Sequence, residues 1–264
     1  MGIIEQEDNK TVNLPKDFVK LSRKKKLSVG LEYFLKAETL RNSELFNESV
    51  RFYLSSLLIE NKNFDCHMGL AMAYKHIRKY EKAIKILNKA KKLKTNSYEL
   101  HYELGILYLL CENPHASLRE FKSAILLDKK KPEAQIQLAK AHEVLEDYEM
   151  AEMIYKRIIE FFPSNISAYN NLANLYITKE KYLDAGLVYK QILKINPNFS
   201  QAYFGLGVCF EKLGKINDAI RYFRKFSEIK PNSINSGEVK RHLQKLKAML
   251  PQRTDNCFSI VEKD

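Results

Sequence analysis

Small residues recur in this chain with a period of 34, and the period is kept six times. Ala37, Ala71, Gly105, Ala139, Ala173 and Gly207 each stand 34 positions after the last. With these as the eighth position of a unit, the twentieth holds Ser49, Ala83, Ser117, Ala151, Ala185 and Ala219. The twenty-fourth holds Tyr53, Leu87, Phe121, Tyr155, Tyr189 and Phe223, and Pro163, Pro197 and Pro231 close the last three units. Such self-similarity marks a solenoid, in which each unit buries its apolar face only against its neighbours. The small residues let helices approach closely, and the large ones fill the space between hairpins.

Within a unit the pattern is helical. A first helix is expected over positions 1 to 14 and a second over positions 17 to 30. In the second unit Ala83, Ile84, Leu87, Ala90 and Leu93 form an apolar stripe. Lys82, Lys85, Lys89 and Lys92 lie on the opposite face. Asn113-Pro114 opens a helix with proline in its first turn, where a missing N–H costs nothing. Beyond Ser233, Asn235 and Glu238 have capping-box spacing and open a helix with Val239, Leu243, Leu246 and Leu250, stopped by Pro251. It is expected to cover the last hairpin, with Lys240, Arg241, Lys245 and Lys247 in water.

The pattern resembles the tetratricopeptide repeat over Gly30 to Ser233. The fifth unit carries it best, with Tyr169, Leu172-Ala173, Tyr176, Ala185, Tyr189 and Pro197 in the family's positions. A period one residue longer would indicate the pentatricopeptide RNA readers, and there is no drift toward it. Departures are local: Lys36 occupies an apolar position, and Thr95 and Lys129 replace proline. The resemblance implies an all-α, right-handed α-solenoid of six hairpins (30–63, 64–97, 98–131, 132–165, 166–199 and 200–233) and a C-terminal capping helix at 234–251. A charged leader at 1–29, with a short helix after Pro15 (Phe18, Val19, Leu21) and a basic Arg23–Lys26 run, precedes them. A flexible tail at 252–264 follows. The continuous grid suggests one elongated unit.

Composition narrows the partners. The formal charge is +12, from 44 basic residues (34 Lys, 10 Arg) against 32 acidic ones. A basic surplus favours acidic partners, but phosphate contacts prefer arginine forks, and lysine dominates here. Cys66, Cys111, Cys209 and Cys257 form no Cys-x-x-Cys pair, and Cys209 falls on an inward face, which suits reduced thiols in a cytoplasmic setting. The acidic start Met1–Asp8 has no apolar core, Gln6 stands where a myristoylation site wants Ser or Thr, and the longest apolar run, Gly105–Cys111, cannot span a bilayer.

The search for catalysis finds little. His67, His76, His101, His115, His142 and His242 have no metal-ligand spacing, and His67, His101 and His142 read as packing residues. Gly205-Leu206-Gly207 is helical in register and no phosphate loop; no nucleophile elbow or kinase signature is present. No cofactor or metal is expected.

The resemblance implies that the first helices line a concave groove. Its positions hold Phe34, Met68, Met72, Tyr102, Ile106 and Ile136, an apolar wall in which Met adapts to varied ligands. They continue with Gln137, Lys140, Asn170, Asn171, Asn174 and Gln201, whose amides can pair with an extended peptide. The family's clamp for acidic chaperone C-termini is absent: Lys140 and Asn171 lack its other partners. The expectation is a non-catalytic scaffold or adaptor that binds a peptide segment or helix of another protein. The alternative is anion binding, to nucleic acid or a membrane surface, through Lys82, Lys85, Lys89 and Lys92. The two differ in salt response.

Overall fold

The computed structural model describes residues 14–15, 17–231 and 236–249. Among them are thirteen α-helices and no strand, an all-α fold of the solenoid class built from antiparallel hairpins. The helices group into two compact units, one reaching to Asp147 and one starting at Tyr148, so the fourth repeat is divided between its two helices.

In the first unit the helices are α1 (Arg23–Asn42), α2 (Phe46–Ile59), α3 (Phe64–His76), α4 (Tyr80–Leu93), α5 (Tyr98–Leu110), α6 (Pro114–Leu127) and α7 (Pro132–Val144). Hairpins α1/α2, α3/α4 and α5/α6 stack in sequence, and α7 packs on α6. A single 3₁₀ turn at Phe18–Lys20 precedes α1, which begins at Arg23 rather than near Gly30 because Ser22 caps it, its hydroxyl accepting from the Lys25 amide. The second unit holds α8 (Tyr148–Phe161), α9 (Ile166–Thr178), α10 (Tyr182–Ile195), α11 (Ser200–Lys212), α12 (Ile216–Ile229) and α13 (Ser236–Ala248). There α8 packs on α9, α10 on α11, and α13 on α12. The start Met1–Asp8, Asn235 of the capping pair, Leu250, Pro251, Cys257 and the tail Gln252–Asp264 lie outside the described residues.

The turns inside the hairpins share one geometry. Glu44, Arg78, Glu112, Glu146, Glu180 and Gly214 all have φ between 54° and 71°, and each stands at the same repeat position. In the third hairpin the Glu112 amide donates to the Leu109 carbonyl at 3.0 Å and the Asn113 amide to the Tyr108 carbonyl at 2.8 Å. This is a Schellman closure, and the pair of bonds recurs in the other five turns. Only Gly214 adopts the left-handed region without a Cβ penalty. Entry to the first helices falls to side-chain caps: Asn63, Ser97 and Asn165 accept from Cys66, Leu100 and Ala168.

The aromatic at position 24 interlocks with glycine in two ways. Phe121 and Phe223 fill the space above Gly105 and Gly207 of their own hairpins, where an added Cβ would lie 2.5 and 2.6 Å from the ring. Tyr53 and Tyr189 instead press on Gly69 and Gly205 of the following hairpin, where an added Cβ would run into the ring as well. Helix glycines, unfavourable in themselves, are therefore space for a neighbour's ring. Lys36, out of place in an apolar position, stays exposed with its ammonium 4.5 Å from the centroid of the Phe52 ring.

Candidate protein-binding face

The first helices of the first unit carry the apolar side chains expected to line a groove. Phe34 (α1) and Met68 and Met72 (α3) are half-buried and pack on the core of Leu54, Leu70 and Leu104. Phe34 meets the Tyr53 ring at 6.3 Å. On α5, Tyr102 stacks on Tyr98 at 5.9 Å and tilts against Phe121 at 6.0 Å, with Ile106 half-buried one turn on. Burial and the nearby Glu103 carboxylate hold the Tyr102 phenol above its usual range. Tyr98 is fixed too: its oxygen accepts from the Ala134 amide at 3.2 Å, and burial pushes its phenol up to about 12. The wall is thus made of side chains already held by the core, which lowers the ordering cost of binding.

Ile136 departs from the expectation. It is only 6% exposed and belongs to the buried face of α7, with Ala134, Ala139 and Ala141. Lys140 is half-buried and has no ion pair among the described residues, whereas Lys75 of α3 is held by Glu103 at 2.6 Å.

In the second unit, Asn170 and Asn171 are half-buried, and Asn174 and Gln201 are exposed. Not all of these amides are available to a ligand. The Tyr189 hydroxyl donates to the Asn174 carbonyl oxygen at 2.6 Å, and the Ser200 hydroxyl donates to the Gln201 carbonyl oxygen at 3.2 Å. The Asn174 bond serves the same tyrosine that presses on Gly205, a link between packing and polar surface that single residues do not reveal.

The lysine stripe of α4 is not uniform. Lys85, Lys89 and Lys92 are exposed, but Lys82 is half-buried, its ammonium 5.9 Å from the centroid of the Tyr74 ring. Lys91, outside the stripe, binds Glu120 of α6 at 2.8 Å. The histidines pack, with polar anchors the sequence does not show. His67 is buried, its Nδ1 2.7 Å from the Asn63 carbonyl, and burial holds its pKa below the ordinary value. His101 is buried between the Glu120 carboxylate at 2.6 Å and the Thr95 carbonyl at 2.9 Å, both acceptors. His142 meets Asp147 at 2.9 Å.

The thiols of Cys66 and Cys209 are buried and pushed up to about 12, which makes them unreactive. Among the described residues no cluster of His, Cys, Asp and Glu could hold a metal, and no helix is long and apolar enough to cross a membrane.

One cleft escaped sequence reasoning. Tyr203 of α11, Tyr222, Arg221, Arg224 and Lys225 of α12 and Lys247 of α13 line an open space of about 610 Å³. Two of its cations are already paired, Arg221 with Asp218 at 3.1 Å and Lys225 with Glu228 at 2.9 Å. The run of cations along α12 is its sequence signal; the concavity comes from the docking of α13.

Three family models described as tetratricopeptide repeats match the chain, over residues 188–221, over 132–175, and over 64–97 with 166–199. No curated protein matches the sequence. Among solved structures, PilW, a widely conserved type IV pilus biogenesis factor, aligns with a TM-score of 0.67 and 19% identity over 80% of this chain and 98% of its own. A tetratricopeptide repeat protein from Parabacteroides merdae ATCC 43184 gives 0.63 and 19%, covering 83% and 84%. YrrB, a TPR protein with an unusual peptide-binding site, gives 0.52 and 15%, covering 72% and 97%. At these identities the likeness is one of fold.

Proposed function

Starting from the chain's membership of the tetratricopeptide-repeat family, we propose that it is a non-catalytic scaffold whose first unit binds a segment of another protein. The observation that carries this reading is the wall on α1, α3 and α5. Phe34, Met68, Met72, Tyr102 and Ile106 stay half-exposed, although the first three rest on the core and Tyr102 on the buried Phe121. A ligand that completes their burial gains about 25 cal/mol per Å² of apolar surface, before association costs. Gln137 and Lys140, half-buried on α7, are polar groups that can fix register. YrrB, of the same fold, is a TPR protein with an unusual peptide-binding site. A cytoplasmic setting fits the free, buried thiols of Cys66 and Cys209.

The test is affinity purification from native cells with the parent chain and a Met68→Glu/Tyr102→Glu variant in parallel. Charge placed where a ligand must desolvate should cost about 2–4 kcal/mol of binding, while helical circular dichroism stays close to the parent's. Undiminished partner recovery by a folded variant would move the binding face elsewhere.

A further inference from the structure

The outward face of α1 carries an apolar row, with Ser28, Glu32 and Lys36 exposed beside it. Leu27, Leu31 and Leu35, four residues apart, are 42%, 57% and 56% exposed, and Val19, just before the helix, is 84% exposed. In later repeats the position of Leu35 can be covered. Its counterparts Gly69 and Gly205 lie beneath the Tyr53 and Tyr189 rings of the preceding hairpins. No hairpin precedes α1 among the described residues, so its leucines stand open. One exposed leucine is ordinary, but an aligned row of three with a valine beside it is a patch.

Charge supplies a second observation. Lys20, Arg23, Lys24 and Lys25 are exposed, none has a carboxylate partner among the described residues, and the first turn of α1 holds no acid. Cations at a helix N-terminus oppose the helix dipole, and negative charge brought to them relieves this placement. Lys26 turns back instead: its ammonium donates to the Val19 carbonyl at 3.1 Å and lies 5.5 Å from the Phe18 centroid, which pins the 3₁₀ turn against the helix.

The arrangement distinguishes a surface from a partner helix. Successive helical residues are about 100° apart, so Arg23, Lys24 and Lys25 point around the axis rather than along one side. A helix lying in the leucine row would meet only part of that charge. A negatively charged plane acts on all of it within a Debye length of about 8 Å. Apolar side chains in the headgroup boundary with cations beside them describe a helix that lies on a bilayer. We infer that α1 and the Phe18–Lys20 turn form a docking surface for an anionic lipid membrane, with Leu27, Leu31, Leu35 and Val19 entering the interface.

The experiment is flotation of the full chain with vesicles of phosphatidylcholine alone or containing about 30 mol% phosphatidylserine, near 0.15 M salt. The chain should float with the anionic vesicles and at least about tenfold less with the neutral ones. Leu27→Ser/Leu31→Ser/Leu35→Ser and Arg23→Gln/Lys24→Gln/Lys25→Gln should each reduce flotation by about tenfold or more, with unchanged helical circular dichroism. The chain has no tryptophan, so Leu31→Trp gives a single reporter in an otherwise parental protein, and its emission should shift to the blue only with anionic vesicles. No flotation of the parent, no blue shift at position 31, or flotation indifferent to the stripe would overturn the inference. A stripe variant that keeps its lipid binding but loses a protein partner would assign the face to protein and overturn it equally.

Discussion

Helix α1 in the first unit and helix α13 in the second meet the same physical problem and answer it differently. A stack of hairpins leaves an apolar face at each end, and terminal repeats of soluble solenoids usually turn a polar surface outward. At the C-terminal end α13 does this. Val239 and Leu246 are buried with Phe223 and Phe226, while Lys240, Arg241, Gln244, Lys245 and Lys247 face water. A polar clamp locks it: His242 and Lys245 both meet Glu211, at 2.5 and 3.0 Å. Burial alone would raise the Glu211 carboxyl, but the bonds from Lys245 and His242 hold it below its usual range. At the other end α1 keeps Gly30 and Ala37 inside and still shows leucines outside. Apolar surface left open beside a covered counterpart points to binding, because the fold has a means of covering it and does not use it there.

The largest effect should come from removing one end at a time. Ending the chain at Asn232 removes α13 and bares Phe223 and Phe226. The loss of Val239 and Leu246 burial alone should cost about 3–5 kcal/mol, seen as a lower melting temperature and light scattering. Beginning the chain at Ser22, which keeps the α1 cap, should change melting little. Equal losses from the two truncations would erase the distinction between a covered end and an open one.

A smaller effect separates interlocks from free surface. Gly69→Ala in the first unit and Gly205→Ala in the second each drive a methyl into a tyrosine ring, and each should cost about 1–3 kcal/mol by denaturant unfolding. Gly237→Ala on α13 meets nothing within 4 Å and should gain up to about 1 kcal/mol from helix propensity. A cost at Gly237 as large as at Gly205 would mean that α13 is packed more tightly than its outward glycine implies.

The smallest effect is in pH. Burial depresses the His67 pKa in the folded state, so the unfolded chain binds the proton more readily. Stability is then fully present above the ordinary histidine pKa near 6.5 and falls as pH drops through the depressed folded value. His67→Tyr, which matches Tyr33, Tyr169 and Tyr203 at the same repeat position, should flatten that part of the melting-temperature profile. An unchanged profile in the variant would assign the acid sensitivity to other groups.

Much of the architecture was legible beforehand, for reasons that are local. The 34-residue period placed Ala83, Leu87 and Ala90 on one face of a helix, and all three are fully buried. Glycine at positions 105 and 207 read as packing space, which Phe121 and Phe223 fill. Spacing along a helix determines which residues share a face, and that face needs no knowledge of distant chain. The left-handed glutamates were not legible, because their conformation is imposed by helices closing on both sides.

The candidate site was legible only in outline. The resemblance implied that Met68 and Tyr102 are inner-wall residues, but not the bond from Tyr189 to Asn174. Ile136 shares its repeat position with Tyr102, yet one is core and the other half-exposed. Leu35 and Gly69 are likewise counterparts, and only the second has a tyrosine ring on it. The sequence by itself determined the period, the helices and the faces they share. Which faces are covered and which stay open was decided by tertiary structure, because exposure depends on the presence or absence of a neighbouring hairpin, and a repeat carries the same local pattern in either case.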